Sequence, residues 1–187
     1  KVATKTAIEL KNITKTFGNV VANKDVCLTV NRGEILSILG ENGSGKTTLL
    51  NVIREAGGLV LDCDAIYHEL LKTDENMLQA IADRFPDAIE NGVLNRKKLG
   101  AIVFADENAL QDLNRITHAA VKQAVLSAIP QTPALVAIDA IGLFEGELAE
   151  LCDVTVAVTA PEKIRIRRLM ARDGISEEYA KKRIDAQ

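Results

Sequence analysis

Ile35-Leu36-Ser37-Ile38-Leu39-Gly40-Glu41-Asn42-Gly43-Ser44-Gly45-Lys46-Thr47-Thr48 decides the fold of this chain. Its first five residues form an apolar run without polar alternation, the pattern of a strand covered on both faces of a parallel sheet. A loop follows in which Gly40, Gly43 and Gly45 allow dihedrals that turn backbone N–H groups inward and let an anion approach the main chain. Residues 47–56 then read as a helix, whose first turn adds positive partial charge. Strand, glycine loop and helix in that order predict a phosphate-binding loop (P-loop) for a nucleoside triphosphate with Mg²⁺. Gly40, Asn42, Gly43, Ser44, Gly45 and Thr48 would line the phosphates, Lys46 would bridge the β and γ groups, and Thr47 would offer its hydroxyl to the metal.

Working outward, residues 7–30 alternate and are broken by turns at Gly18-Asn19 and Asn31-Arg32-Gly33, which predicts an antiparallel meander. Its apolar side would carry Ile8, Leu10, Ile13, Val26 and Leu28, and its polar side Glu9, Lys11 and Thr29. No crossover helix lies within this stretch, so it is expected as a flap beside the strand Ile35–Leu39, covering a sheet edge. C-terminally, Leu59-Val60-Leu61 reads as a strand ending in Asp62-Cys63-Asp64, and residues 65–129 as mostly helical. Residues 134–138 and 154–158 read as further buried strands, and 162–171 and 176–186 as charged helices. Strands alternating with helices predict an α/β fold with a parallel sheet flanked by helices. Ligands of such sheets bind beyond the carboxyl ends of the strands, where the P-loop, Asp62, Asp64, Asp139 and Thr159-Ala160 all fall.

The bulk properties agree with one domain, or one with a small subdomain. The chain has 187 residues, 47% of them hydrophobic, no Trp and a net charge of −3, so its core is aliphatic and no basic face marks a nucleic-acid partner. Cys27, Cys63 and Cys152 are too far apart for a CxxC zinc site and read as reduced thiols of a cytoplasmic protein. No apolar run reaches the ~18 residues of a membrane span.

Two resemblances follow from longer phrases. Ile8-Glu9-Leu10-Lys11-Asn12-Ile13-Thr14-Lys15-Thr16-Phe17-Gly18, Val30-Asn31-Arg32-Gly33-Glu34-Ile35 and the P-loop resemble the ATP-binding subunit of an ABC transporter. That resemblance implies that Phe17 stacks on adenine; the alternative is an aromatic filling a surface gap. The glutamine loop, LSGGQ-type signature, Walker B and switch histidine of that family have no match here, so transport-type hydrolysis is not expected. From about residue 55 the chain resembles dephospho-coenzyme A kinase, through Val60-Leu61-Asp62-Cys63-Asp64-Ala65-Ile66-Tyr67-His68-Glu69-Leu70-Leu71, Gly92-Val93-Leu94-Asn95-Arg96, Leu113-Asn114-Arg115-Ile116-Thr117-His118, Leu143-Phe144-Glu145 and Arg168-Leu169-Met170-Ala171-Arg172-Asp173-Gly174. Together they suggest a chimera joined around residues 48–56, with an ABC-like β segment at 1–33 and a P-loop kinase-like domain at 34–187. Within the latter, 65–129 would be the helical acceptor region and 162–187 the lid and C-terminal helices.

The kinase resemblance implies phosphoryl transfer from ATP to the ribose 3′-hydroxyl of dephospho-CoA, a small-molecule acceptor. Lys46, Asp64 and Arg168 would be catalytic, with Asp64 taking or orienting the hydroxyl proton. Asp62 would share a strand face with Asp64 if the strand persists; otherwise it caps the following helix. Asp62, His68, Arg96, His118 and Leu143 match the acceptor-binding region, and Asp139 would hold Mg²⁺ together with Thr47. Arg168 and Arg172, four apart on a helix, would grip the triphosphate as a lid, or else form a solvated charged face with Lys163, Arg165 and Arg167. The competing function is a nucleotide-binding protein without catalysis.

Overall fold

The computed structural model describes residues 6–17, 20–132, 134–140 and 147–185. The alternating N-terminal stretch forms two long strands, β1 (Thr6–Phe17) and β2 (Val20–Asn31), paired antiparallel from Thr6 opposite Asn31 to Phe17 opposite Val20. Gly18 and Asn19, read as a turn, lie outside the described residues. Leu10 and Val30 are buried, while Glu9, Lys11 and Thr29 face water, as alternation demands. The side chains of Ile8, Ile13 and Val26 lie outside those described. The turn into the next strand is locked by Glu34, whose carboxylate accepts from Asn31 N at 2.7 Å and Asn31 Nδ2 at 2.8 Å. These bonds hold its pKa below the ordinary carboxylate value.

The apolar runs become short buried strands: β3 (Ile35–Leu39), then β4 (Leu59–Asp62), β7 (Val136–Asp139) and β8 (Val154–Ala157). β5 and β6 are the arms of a small hairpin described below. The four form one sheet in the order β4-β7-β3-β8, with β3 parallel to both β7 and β8. Ser37, fully buried in β3, donates its hydroxyl to Thr155 Oγ1 at 2.8 Å, so the polar atom is satisfied inside the sheet. β3 therefore has neighbours on both sides, and the expected flap beside it at an open edge is corrected. β1 and β2 form a separate two-stranded sheet whose Leu10 and Val30 join Leu36, Ile38, Leu49, Leu50 and Ile53 in one core cluster. Leu49, Leu50 and Ile53 come from α1 (Lys46–Glu55), the helix that follows the glycine loop. The same unit ends in α6 (Glu162–Asp173) and α7 (Glu177–Asp185), packed through Leu169, Ala180 and Ile184.

The chain divides into two units, the first made of residues 1–61, 130–140 and 152–187, the second of 62–129 and 141–151. The second contains α2 (Cys63–Thr73), α3 (Glu75–Arg84), α4 (Arg96–Ala105) and α5 (Glu107–Ala128). Each starts at a side-chain cap, in order Asp62, Asp74, Asn95 and Asp106. Met77, Ile81, Phe85, Leu99, Val103 and Ala109 form its core. A hairpin of β5 (Ile89–Glu90) and β6 (Val93–Leu94) interrupts the helices, a feature the helical spacing concealed. Its turn, Asn91-Gly92, has φ of 52° and 77°, the positive pair that an Asn-Gly hairpin turn uses. Among the described residues no helix is long and apolar enough to cross a membrane.

Candidate active site

The glycine loop sits between the carboxyl end of β3 and the start of α1, where sheet and helix dipole converge. Two of its glycines are required by space. A Cβ on Gly40 would lie 2.6 Å from Ser44 Oγ and 2.9 Å from Val158 O; one on Gly43, at φ +79°, would lie 2.8 Å from Arg165 O. Gly45 caps α1 at φ 108°. Lys46, the first residue of that helix, places Nζ 2.6 Å from Asp139 Oδ1 at the end of β7, and both side chains are largely buried. The structure thus brings together two residues read separately from the sequence. Thr47 is exposed and Thr48 and Asn42 half-buried. Ser44 is buried, and its Oγ has no hydrogen-bond partner among the described residues.

The donor set near the loop suits Mg²⁺. That ion keeps most of its waters and takes one or two protein oxygens beside substrate phosphates, and the Thr47 hydroxyl and the Asp139 carboxylate are oxygens of that kind. No group of three or more His, Cys, Asp and Glu forms a self-sufficient metal cage among the described residues.

The charged helix α6 divides its arginines in a way the sequence concealed. Arg168 donates from Nη1 to Gly43 O at 2.8 Å and Ser44 O at 2.9 Å. Burial pushes its pKa down, a cost these two bonds offset. Arg172, expected beside it as a second lid residue, instead makes a two-pronged pair with Asp173 at 2.6 and 2.9 Å. Arg165, grouped by composition with solvated charges, is 6% exposed and donates from Nε to Asn42 O at 3.1 Å. Its place three residues before Arg168, on the same helix face, is the one sequence feature that could have found it.

In the second unit, β4 ends at Asp62 and the helix begins at Cys63, so Asp62 and Asp64 do not share a strand face. Asp62 Oδ1 accepts from Ala65 N at 3.0 Å and caps α2, the alternative role read for it. Asp64 is exposed in the first turn of α2, one turn before His68. His68 Nδ1 lies 3.2 Å from Arg96 Nη2; since guanidinium only donates, that nitrogen accepts. Tyr67 stacks at a tilt 5.7 Å from the His68 ring. Its pKa is raised by burial, against the lowering charge of Arg96. His118 lies half-buried on α5. Leu143 and the side chain of Phe17 lie outside those described.

Comparison with known proteins defines the family. The sequence profile of the dephospho-CoA kinase family matches residues 34–187. A dephospho-CoA kinase of Lactobacillus acidophilus is 35% identical over 159 residues, covering 82% of this chain and 80% of that protein. One from Listeria monocytogenes is 34% identical over 161 residues, covering 83% and 80%. A solved Thermus thermophilus protein superposes with a TM-score of 0.66 at 34% identity, over 82% of this chain and 80% of its own. The dephospho-CoA kinase of Campylobacter jejuni does so with 0.53 at 26%, over 82% and 79%. The match begins before the P-loop and runs through it, so loop and helices follow one family pattern. This overturns the expected chimera with a junction near residues 48–56, and leaves the adenine role of Phe17 without its basis. With a continuous match over most of its length and relatives above 30% identity, the chain belongs to the dephospho-CoA kinase family.

Proposed function

We propose that this chain transfers the γ-phosphoryl group of ATP to the ribose 3′-hydroxyl of dephospho-CoA, releasing CoA and ADP. The observation that carries this is the Lys46–Asp139 pair, 2.6 Å apart at the mouth of a glycine loop, in a chain with this family's sequence. A partly buried cation at the start of the helix that follows the loop favours the charge of the β- and γ-phosphates. Thr47 and Asp139 would hold Mg²⁺, which neutralises phosphate charge when bound.

Asp64 takes the proton of the 3′-hydroxyl as its oxygen bonds to the γ-phosphorus. The bond from that phosphorus to the β–γ bridging oxygen breaks, and its electron pair leaves with ADP. Arg96, ordered by His68, supplies positive charge for the acceptor's phosphates, and Arg168 keeps the loop in shape. The acceptor is a small molecule, and no nucleic-acid partner is invoked.

Incubation with ATP, Mg²⁺ and dephospho-CoA, followed by mass detection, is expected to yield CoA. ATP binding in calorimetry without any CoA formed would instead establish a nucleotide-binding protein that lacks catalysis.

A further inference from the structure

Three consecutive carbonyls of the P-loop, those of Asn42, Gly43 and Ser44, are each held by an arginine of α6. Arg165 faces the loop through two of its three nitrogens: Nε binds Asn42 O and Nη1 pairs with Glu41, while Nη2 is buried without a hydrogen-bond partner among the described residues. Nothing separates helix from loop, since an added Cβ on Gly43 would meet Arg165 O at 2.8 Å. In a planar trans peptide the carbonyl and the following N–H point in opposite directions. Carbonyls drawn toward α6 therefore aim the N–H groups of Gly43 and Gly45 away from it. Ser44 N is already engaged, donating to Glu41 O at 3.0 Å.

From these contacts we infer that Arg165 is a positioning residue for the nucleotide phosphates, acting through the backbone of the loop and not by touching the phosphate. Its cation behind the peptide units polarises them, which strengthens the N–H donors on the opposite side. The inference rests on the reading that ATP phosphates occupy the loop.

The test uses the full chain and two substitutions. Arg165→Met keeps an apolar stem but removes the fork; Arg165→Lys keeps the charge as a single point donor. Calorimetry gives the ATP Kd, steady-state kinetics the separate KM values, and thermal melting the state of folding. Arg165→Met is expected to raise the ATP Kd on the order of 10-fold, with the KM for dephospho-CoA unchanged within about twofold. Arg165→Lys should fall between it and the parent, at about threefold. A folded Arg165→Met protein that binds ATP like the parent overturns the inference, as does an equal loss toward both substrates. Should the Met variant not fold, an Arg165→Lys protein with parental ATP affinity overturns it. A parent that binds no ATP sinks the phosphate-loop reading itself and the inference with it.

Discussion

Lys46 carries a charge that needs a partner whether or not a phosphate is present, and Asp139 supplies it at 2.6 Å. Lys46→Ala removes the cation nearest the expected β and γ oxygens and strands the Asp139 carboxylate. ATP affinity should fall by roughly 10- to 100-fold, the range of a charge-assisted hydrogen bond; unchanged affinity by calorimetry would remove Lys46 from the site. Asp64 makes the opposite case, because it is exposed and sits in the first helical turn, where an acidic residue also serves the helix dipole. Asp64→Asn keeps the shape but cannot take a proton. Turnover should drop ~10²-fold or more with ATP affinity intact, the signature of a positioned base. A variant that turns over like the parent would reduce Asp64 to a dipole contact.

At the scale of elements, α2 depends on its first turn. Asp62 both ends β4 and caps α2, so Asp62→Ala should cost about 1 kcal/mol of stability, read as a shift in the denaturant midpoint. A loss in turnover far beyond what that destabilisation explains would give Asp62 a second role. The hairpin of α6 and α7 has a pH-dependent latch. Asp173 pairs with Arg172 and accepts from Arg183 at 2.7 Å, and these cations lower its pKa from 3.8 to about 2. Since the folded value lies below the unfolded one, the pair stabilises the fold fully above the unfolded value and ceases to do so as pH falls through about 2. The melting-temperature gap between the parent and Asp173→Asn should be widest near pH 6 and close toward pH 2; a gap independent of pH would disprove the latch.

On the scale of the whole molecule, the N-terminal sheet contributes to the core without joining the parallel sheet. Leu10 and Val30 are 6% and 1% exposed, and both pack in the cluster of β3 and α1. Removal of residues 1–32 should uncover that cluster. Burial of side chains of this size is worth ~1.5–3 kcal/mol each, so a marked loss of stability is expected while the far-UV spectrum of the α/β unit persists. Undiminished stability after the deletion would show that β1 and β2 are dispensable to the core. The P-loop, legible at once in sequence, was a poor guide to ancestry for a physical reason. Its glycines, lysine and threonine suit any loop that cradles phosphate, so unrelated nucleotide-binding families share them. Only the match continuing on both sides of the loop assigned it.

The sequence by itself determined the parallel strands, the glycine loop, the helices and the boundary between the alternating N-terminal strands and the buried ones. These follow from local rules: apolar periodicity selects strand or helix, and glycine permits φ values that other residues resist. The tertiary structure alone decided which partner each polar side chain took. Lys46 and Asp139 are 93 residues apart, and Arg165 reaches a carbonyl 123 residues before it. Arg165, Arg168 and Arg172 are alike in composition, yet two turn to the loop and one to Asp173. That choice depends on how α6 is rotated against the loop, with Gly43 pressed on its backbone, and packing across such sequence separations is not written in any local pattern.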